Sequence, residues 1–302
     1  MNSFIENIFS LFNHYKPKAY DFNYDFIFDP EVQYNLKQEG YAVIKNIVTD
    51  ASIQIILDAY DILSKSEIFY EVDGFITSAN YGDAVHKEVH NLLSQVNKQV
   101  LEIIIDKGKT YHDLINILTI KFNNDTKGLF PHQDMSLIDE VNGPSFFAWI
   151  PTEAITNENG ALLVLPGSHK WFRWQKTHNQ LTTPLKYLHD EILKRMIPVY
   201  MNKGDVLIFD NSLLHASLPN SSTKVRVCMN TSFAPNNFQL VNYQINQNNK
   251  SNIFKYHVDE FFYKNFFINP NEVPDKYHPP VIEKLRVNKI ITKRNFLDIV
   301  KR

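Results

Sequence analysis

A chain of 302 residues with 33 acidic and 31 basic side chains carries a net charge of -2 and a pI near 6.6, without the strongly basic balance of a nucleic-acid binder. Its one cysteine, Cys228, leaves no intrachain disulfide and no cysteine-based zinc site, which fits a reducing compartment and predicts a cytoplasmic protein. No apolar run reaches the length of a membrane span, and the N-terminus lacks the marks of a secretory signal, so no membrane partner is expected.

Phe4, Ile5, Ile8, Phe9, Leu11 and Phe12 recur at helical spacing and predict a short amphipathic helix docked on the core. Asp29-Pro30-Glu31 reads as a helix start, an acidic cap before Pro at the first helical position, with Gly40 as the stop. Residues 41–47 alternate and are β-branched, as an outer strand requires, and residues 51–64 follow as a helix with Ile53, Ile56, Ala59, Tyr60 and Leu63 on one face. Residues 70–83 read as a loop whose Tyr70, Phe75 and Tyr81 suit a substrate pocket or plain packing. Val85, Val89, Leu93, Val96, Val100 and Ile104 mark a long helix ending near Gly108. On it His86 and His90 stand side by side, a rival metal pair, but Lys87 replaces the Glu of the zinc-protease motif and no third ligand is evident.

From residue 115 the pattern turns to strands, at 115–122, 145–150, 161–165, 197–201, 205–209 and 225–233, separated by turn signals at 123–128 and 157–160. Short strands with little helix between them predict a mainly β fold with flanking helices, a double-stranded β-helix of the jelly-roll, cupin-like kind. One domain spanning 1–302 is expected, with its core at about 40–234 and a helical, aromatic extension at 235–302. An insertion at 171–196 opens with Trp171-Phe172-Arg173-Trp174 and holds a helix at 188–196; it serves either specificity or the cover of a sheet edge. A last helix over 281–300 would carry Lys284, Arg286, Lys289, Lys293 and Arg294 as a solvated basic face, or as a dock for an anionic carrier such as coenzyme A or an acyl carrier protein.

The chemistry concentrates in Leu129-Phe130-Pro131-His132-Gln133-Asp134. On an extended strand residues i and i+2 project to one side, so His132 and Asp134 converge while Gln133 faces away. His215, behind the β-rich run 205–210, supplies a third ligand from another strand. Two imidazoles and one carboxylate make the facial triad of a non-haem Fe(II) centre, which leaves positions open for a co-substrate and dioxygen. Arg226, eleven residues further on, offers the planar two-pronged cation that a dicarboxylate needs at its far end.

His132-Gln133-Asp134, Ala148-Trp149, the run from Asn159-Gly160 to Pro166-Gly167-Ser168-His169-Lys170, Gly204-Asp205, His215 and Arg226 together resemble the phytanoyl-CoA dioxygenase family of Fe(II)/2-oxoglutarate oxygenases, over about Gly40 to Ala234. The resemblance implies Fe(II) on His132, Asp134 and His215, 2-oxoglutarate with its distal carboxylate on Arg226, O2 as oxidant and ascorbate as a supporting reductant. It further implies that Ser217, Trp149 and Gln133 shape the co-substrate pocket, although strict strand geometry turns Gln133 away from the metal. The expected reaction is hydroxylation of a small organic or natural-product-type substrate with release of succinate and CO2. Asp134 in place of the small residue of related halogenases favours that outcome over halogenation. A metal-binding jelly roll without turnover, or a partner-binding module, is the alternative.

Overall fold

A computed structural model describes residues 19–21, 24–66, 70–72, 75–77, 84–178, 185, 187–246, 248–266, 281–286 and 291–301. The helix expected at residues 4–12 lies outside them.

The first described helix, α1 (Pro30–Glu39), begins and ends on its caps. The Asp29 carboxylate accepts from the Glu31 and Val32 amides at 2.8 and 3.2 Å, and Gly40, at φ +83°, donates its N–H to Leu36 O. A side chain at Gly40 would also strike the His169 ring, with Nδ1 2.5 Å from the new Cβ. Then come β1 (Tyr41–Ile44), α2 (Asp50–Ser64), capped by Thr49, and the long α3 (Ala84–Ile104). Between α2 and α3 the segment expected to be a loop holds a hairpin, β2 (Tyr70–Val72) and β3 (Phe75–Thr77). β3 pairs with the next strand, whose backbone groups on that edge would otherwise lack partners.

The barrel is completed by β4 (Tyr111–Lys121), β5 (Leu129–His132), β6 (Phe146–Pro151), β7 (Leu162–Val164), the short α4 (His189–Leu193), β8 (Ile197–Val199), β9 (Val206–Asp210), β10 (His215–Ser217) and β11 (Arg226–Pro235). A seven-stranded sheet runs β1-β9-β6-β11-β4-β3-β2 and a four-stranded sheet β5-β10-β7-β8, with their pairings antiparallel. Period-two alternation decides the layers. Leu118, Ile120, Phe146, Ala148, Ile150, Val206, Ile208, Val227 and Met229 point to one side, against Ile53, Ile56, Leu63, Leu93, Val96 and Val100 of α2 and α3. Ile117, Phe147, Trp149, Leu207, Phe209 and Cys228 point to the other and pack on Leu162, Val164 and Val199 of the small sheet. Strands β4, β6, β9 and β11 of the large sheet are thus buried on both faces, which is why they read as near-continuous apolar runs. This is the mainly β jelly roll with flanking helices expected from the strand pattern.

Beyond the barrel, β12 (Val241–Ile245), β13 (Asn252–His257) and β14 (Val281–Arg286) form a third sheet in that order, with α5 (Glu260–Phe266) after β13 and α6 (Lys293–Val300) at the end. The helix expected over 281–300 is therefore wrong in its first part. Residues 281–286 open with β-branched Val281 and Ile282, and pairing with β13 satisfies their backbone, while Thr292 caps α6 by accepting from Asn295 N at 3.2 Å. Lys284 and Arg286 lie on the strand and Lys293 and Arg294 on the helix, while Lys289 lies outside the described residues. Phe296 of α6 instead packs under the insertion, stacked on Phe172 at 5.9 Å within a cluster that holds Trp174, Leu188 and Ile192. Phe172 and Trp174 of the insertion are thus buried in this cluster. Among the described residues no helix is long and apolar enough to cross a membrane.

Candidate metal centre

β5 and β10 are neighbours in the small sheet, with His132 directly opposite His215. Their rings lie 4.2 Å apart between centroids. Asp134, two residues beyond His132, turns back between them: Oδ1 is 3.6 Å from His132 Nε2 and Oδ2 3.5 Å from His215 Nε2. One ligand atom from each residue falls within 4.8 Å of the others, and among the described residues no other group of three such side chains does so. His86 and His90 gain no third ligand there; His90 Nδ1 is occupied 3.3 Å from Asn116 O.

Hydrogen bonding fixes the tautomers. His132 Nδ1 lies 2.8 Å from Phe130 O and His215 Nδ1 3.1 Å from Leu213 O. A carbonyl only accepts, so each Nδ1 carries the proton and each Nε2 presents a lone pair to the same point, the arrangement a metal-ligating histidine needs. Burial pushes the Asp134 carboxyl up, but the His215 and His132 rings outweigh it and hold it at about 2. Burial, joined by the His132 ring, brings His215 down to about 4. At neutral pH His215 is thus a neutral imidazole beside a carboxylate, a donor set suited to Fe(II) or a similar divalent ion.

A buried polar network holds these segments in place. Glu140, 1% exposed, pairs with Lys176 and accepts from Ser145 Oγ at 2.7 Å, Ser212 Oγ at 3.2 Å and the Asn211 amide. Asn211 also donates to Met135 O at 2.8 Å, next to Asp134, and Lys176 Nζ to Asn211 O at 3.0 Å. Arg173 pairs with Asp210. Residues 210–212, just upstream of His215, are thereby bound to residues 133–136 and to the insertion. Gln133, expected to help shape the co-substrate pocket, belongs to this network. Its side-chain amide, just past the end of β5, donates to Phe172 O and Ser212 O.

Trp149 and Arg226 do meet. The guanidinium lies 5.2 Å from the Trp149 ring centroid, donates to Gly160 O at 2.6 Å through Nη1, and leaves Nε without a hydrogen-bond partner. Ser217 stands two residues beyond His215 on β10, buried, its Oγ accepting from Leu129 N at 3.4 Å. Three features escaped the sequence reading. Lys121 lies in register with Arg226; its signal was a lone charge inside an apolar strand. His189, at the start of α4, stacks on Phe130 at 5.1 Å with Nε2 buried and unpartnered, and no local pattern announced it. The Glu140–Lys176 pair joins residues 36 apart, a separation that carries no periodic signal.

The similarity to known proteins follows the same outline. The model of the phytanoyl-CoA dioxygenase family matches residues 36–228. The peroxisomal phytanoyl-CoA dioxygenase of Bos taurus is 25% identical over 249 residues, covering 74% of this chain and 73% of that one. Its Homo sapiens counterpart is 23% identical over 224 residues, 66% of each. Among solved structures, the non-heme alpha ketoglutarate dependent carbocyclase SnoK from nogalamycin biosynthesis superposes with a TM-score of 0.55 at 15% identity, over 90% of this chain and all of SnoK (100%). The epimerase SnoN, in complex with Fe3+, alpha ketoglutarate and nogalamycin RO, gives 0.52 at 14% identity, over 88% and 96%. Those two likenesses bear on the fold alone, whereas the family match spans well over half of the chain and takes in His132, Asp134, His215 and Arg226: the chain belongs to the phytanoyl-CoA dioxygenase family.

Proposed function

We propose that this protein is an Fe(II)- and 2-oxoglutarate-dependent dioxygenase that hydroxylates an unactivated C–H bond of a small organic or natural-product-type substrate. The observation that carries the reading is the pair of Nε2 lone pairs and the Asp134 carboxylate aimed at one point, with Arg226 buried against Trp149 and its Nε without a hydrogen-bond partner. His132, Asp134 and His215 would hold the iron. Arg226 would take the distal carboxylate of 2-oxoglutarate, with Trp149 stacked on the guanidinium and Ser217 lining the pocket. Bound iron and co-substrate supply an oxidant strong enough for an unactivated C–H bond as 2-oxoglutarate and O2 become succinate and CO2. The protein's own part is to orient the substrate and exclude water, and Phe130 with His189 forms the wall beside His132. The whole chain would act as one domain, and the buried thiol of Cys228 suits the reducing cytoplasm. The substrate would be a small molecule, free or carried on coenzyme A or an acyl carrier protein; comparison of free acids with their thioesters separates the two.

Metal-free protein given Fe(II), ascorbate and 2-oxoglutarate under air should form succinate slowly even without a prime substrate. His132→Ala and Arg226→Ala should each lose it by about a hundredfold or more. No succinate from the wild type, and no visible charge-transfer band with Fe(II) and 2-oxoglutarate without oxygen, would sink the reading. Once a substrate is found, an 18O label carried from O2 into product distinguishes hydroxylation from desaturation, ring closure or epimerisation.

A further inference from the structure

Lys121 ends β4 and stands in register with Arg226, which begins β11. Cross-strand partners project to the same face. That face looks into the barrel, where Trp149 lies against the guanidinium. Lys121 is 1% exposed and Arg226 3%. Buried charge calls for compensation, yet the hydrogen bonds of both cations end on backbone carbonyls: Leu218 O at 2.7 Å and Lys127 O at 3.5 Å for the ammonium, Gly160 O for the guanidinium. Carbonyl dipoles satisfy N–H donors but do not cancel two positive charges.

Gly160 keeps the pair together. At φ +85°, it would place a Cβ 2.8 Å from Lys121 Cδ and 3.3 Å from Arg226 Nη1, so the lysine stem passes over this loop only because no side chain is there. Like charges held close by packing weaken each other's hold on a proton and raise the potential for an anion.

We infer that Lys121 is a positioning residue for the co-substrate: beside Arg226, its ammonium makes the far end of the pocket a two-cation site, and its protonation state sets how tightly the distal carboxylate of 2-oxoglutarate is held. The inference rests on the function proposed above. The charged and titratable groups around Lys121 are Arg226 and Cys228 of β11 and Asp125 and Lys127 of the following turn; Glu153, after β6, and Lys224, before β11, lie on the Arg226 side. Burial, then the Arg226 charge, brings the ammonium down to about 7. Burial keeps the Cys228 thiol neutral, at about 11. Both carboxylates of 2-oxoglutarate are ionised above about pH 5, so near neutrality Lys121 is the group whose charge changes.

The test compares binding of 2-oxoglutarate with that of 2-oxobutyrate, which has the same chelating end and no distal carboxylate, to anaerobic Fe(II) protein by calorimetry. Their ratio removes any titration at the metal. The wild-type preference for 2-oxoglutarate should fall about tenfold or more between about pH 6.5 and about pH 8.5. Lys121→Met should lower that preference about tenfold at the acid end and make it level with pH, while Lys121→Arg should restore it and stay level, because guanidinium does not titrate there. A purely structural role would weaken both acids equally in Lys121→Met, and that result would overturn the inference. So would a wild-type preference that is level with pH, a measurement that needs no variant to fold. Failure of the wild type to bind either acid would instead remove the proposed function, and the inference with it.

Discussion

Replacement of Lys176 by Met is the sharpest test of how the candidate metal ligands are held. Lys176 and Glu140 are 4% and 1% exposed, and their ion pair lies behind the segment that carries Asp134. Loss of the ammonium leaves the Glu140 carboxylate buried, with only the hydroxyls of Ser145, Ser212 and Ser136 and the Asn211 amide as donors. An orphaned buried charge costs about 3–5 kcal/mol; four neutral donors place this one near about 3, against a total stability of about 5–15. Glu140→Gln strands the ammonium on Asn211 O and Ser212 Oγ and should cost a similar amount. The double variant removes both charges at once, so its loss should fall short of the combined single losses by about 2–3 kcal/mol. Urea unfolding of the four metal-free proteins measures that coupling. Fe(II) affinity of Lys176→Met should also drop about tenfold to a hundredfold, because Asn211 then loosens its bond to Met135 O beside Asp134. Additive single losses, or a Lys176→Met protein within about 1 kcal/mol of wild type, would refute the idea that this pair braces the site.

Three further outcomes follow from the same structure. Gly160→Ala should weaken 2-oxoglutarate binding about tenfold and destabilise the fold by about 1–2 kcal/mol, since the new Cβ meets both cations at a positive φ; calorimetry and thermal unfolding check the two effects. Metal-free protein should lose stability as pH falls from about 6.5 towards about 4. Burial holds His169 and His215 at about 4, so the unfolded chain binds the extra protons across that window, at a cost near 2 kcal/mol per site at about pH 5; a urea midpoint unchanged between about pH 7 and about pH 5 would contradict this. Phe296→Ala should cost about 3–4 kcal/mol by emptying the space under Phe172, Trp174 and Ile192, read as a lower unfolding midpoint.

The candidate site was legible wherever its chemistry is local or its residue types are rare in strands. His132 and Asp134 stand two residues apart, although β5 ends at His132 and Asp134 reaches the site from beyond the strand, and the cap residues Asp29 and Gly40 mark their helix because each satisfies a backbone need within a few residues. The strand runs announced a jelly roll because both faces of β4, β6, β9 and β11 are buried, which forces apolar residues at successive positions. Residues 281–300 misled for the converse reason: a short segment such as 281–286, with β-branched residues only at Val281 and Ile282, takes strand or helix according to whether an edge is there to pair with, and β13 supplies it.

By itself, then, the sequence determined the close spacing of His132 and Asp134 and the layered class of the fold, both of which depend on neighbours along the chain. Only the tertiary structure decided that His215 sits directly opposite His132, that Gln133 fastens the insertion, that Lys121 lies beside Arg226 over a bare glycine, and that Glu140 meets Lys176. Those pairings depend on strand register and loop closure, and register is set by how whole faces pack, a sum over many residues that no short motif records.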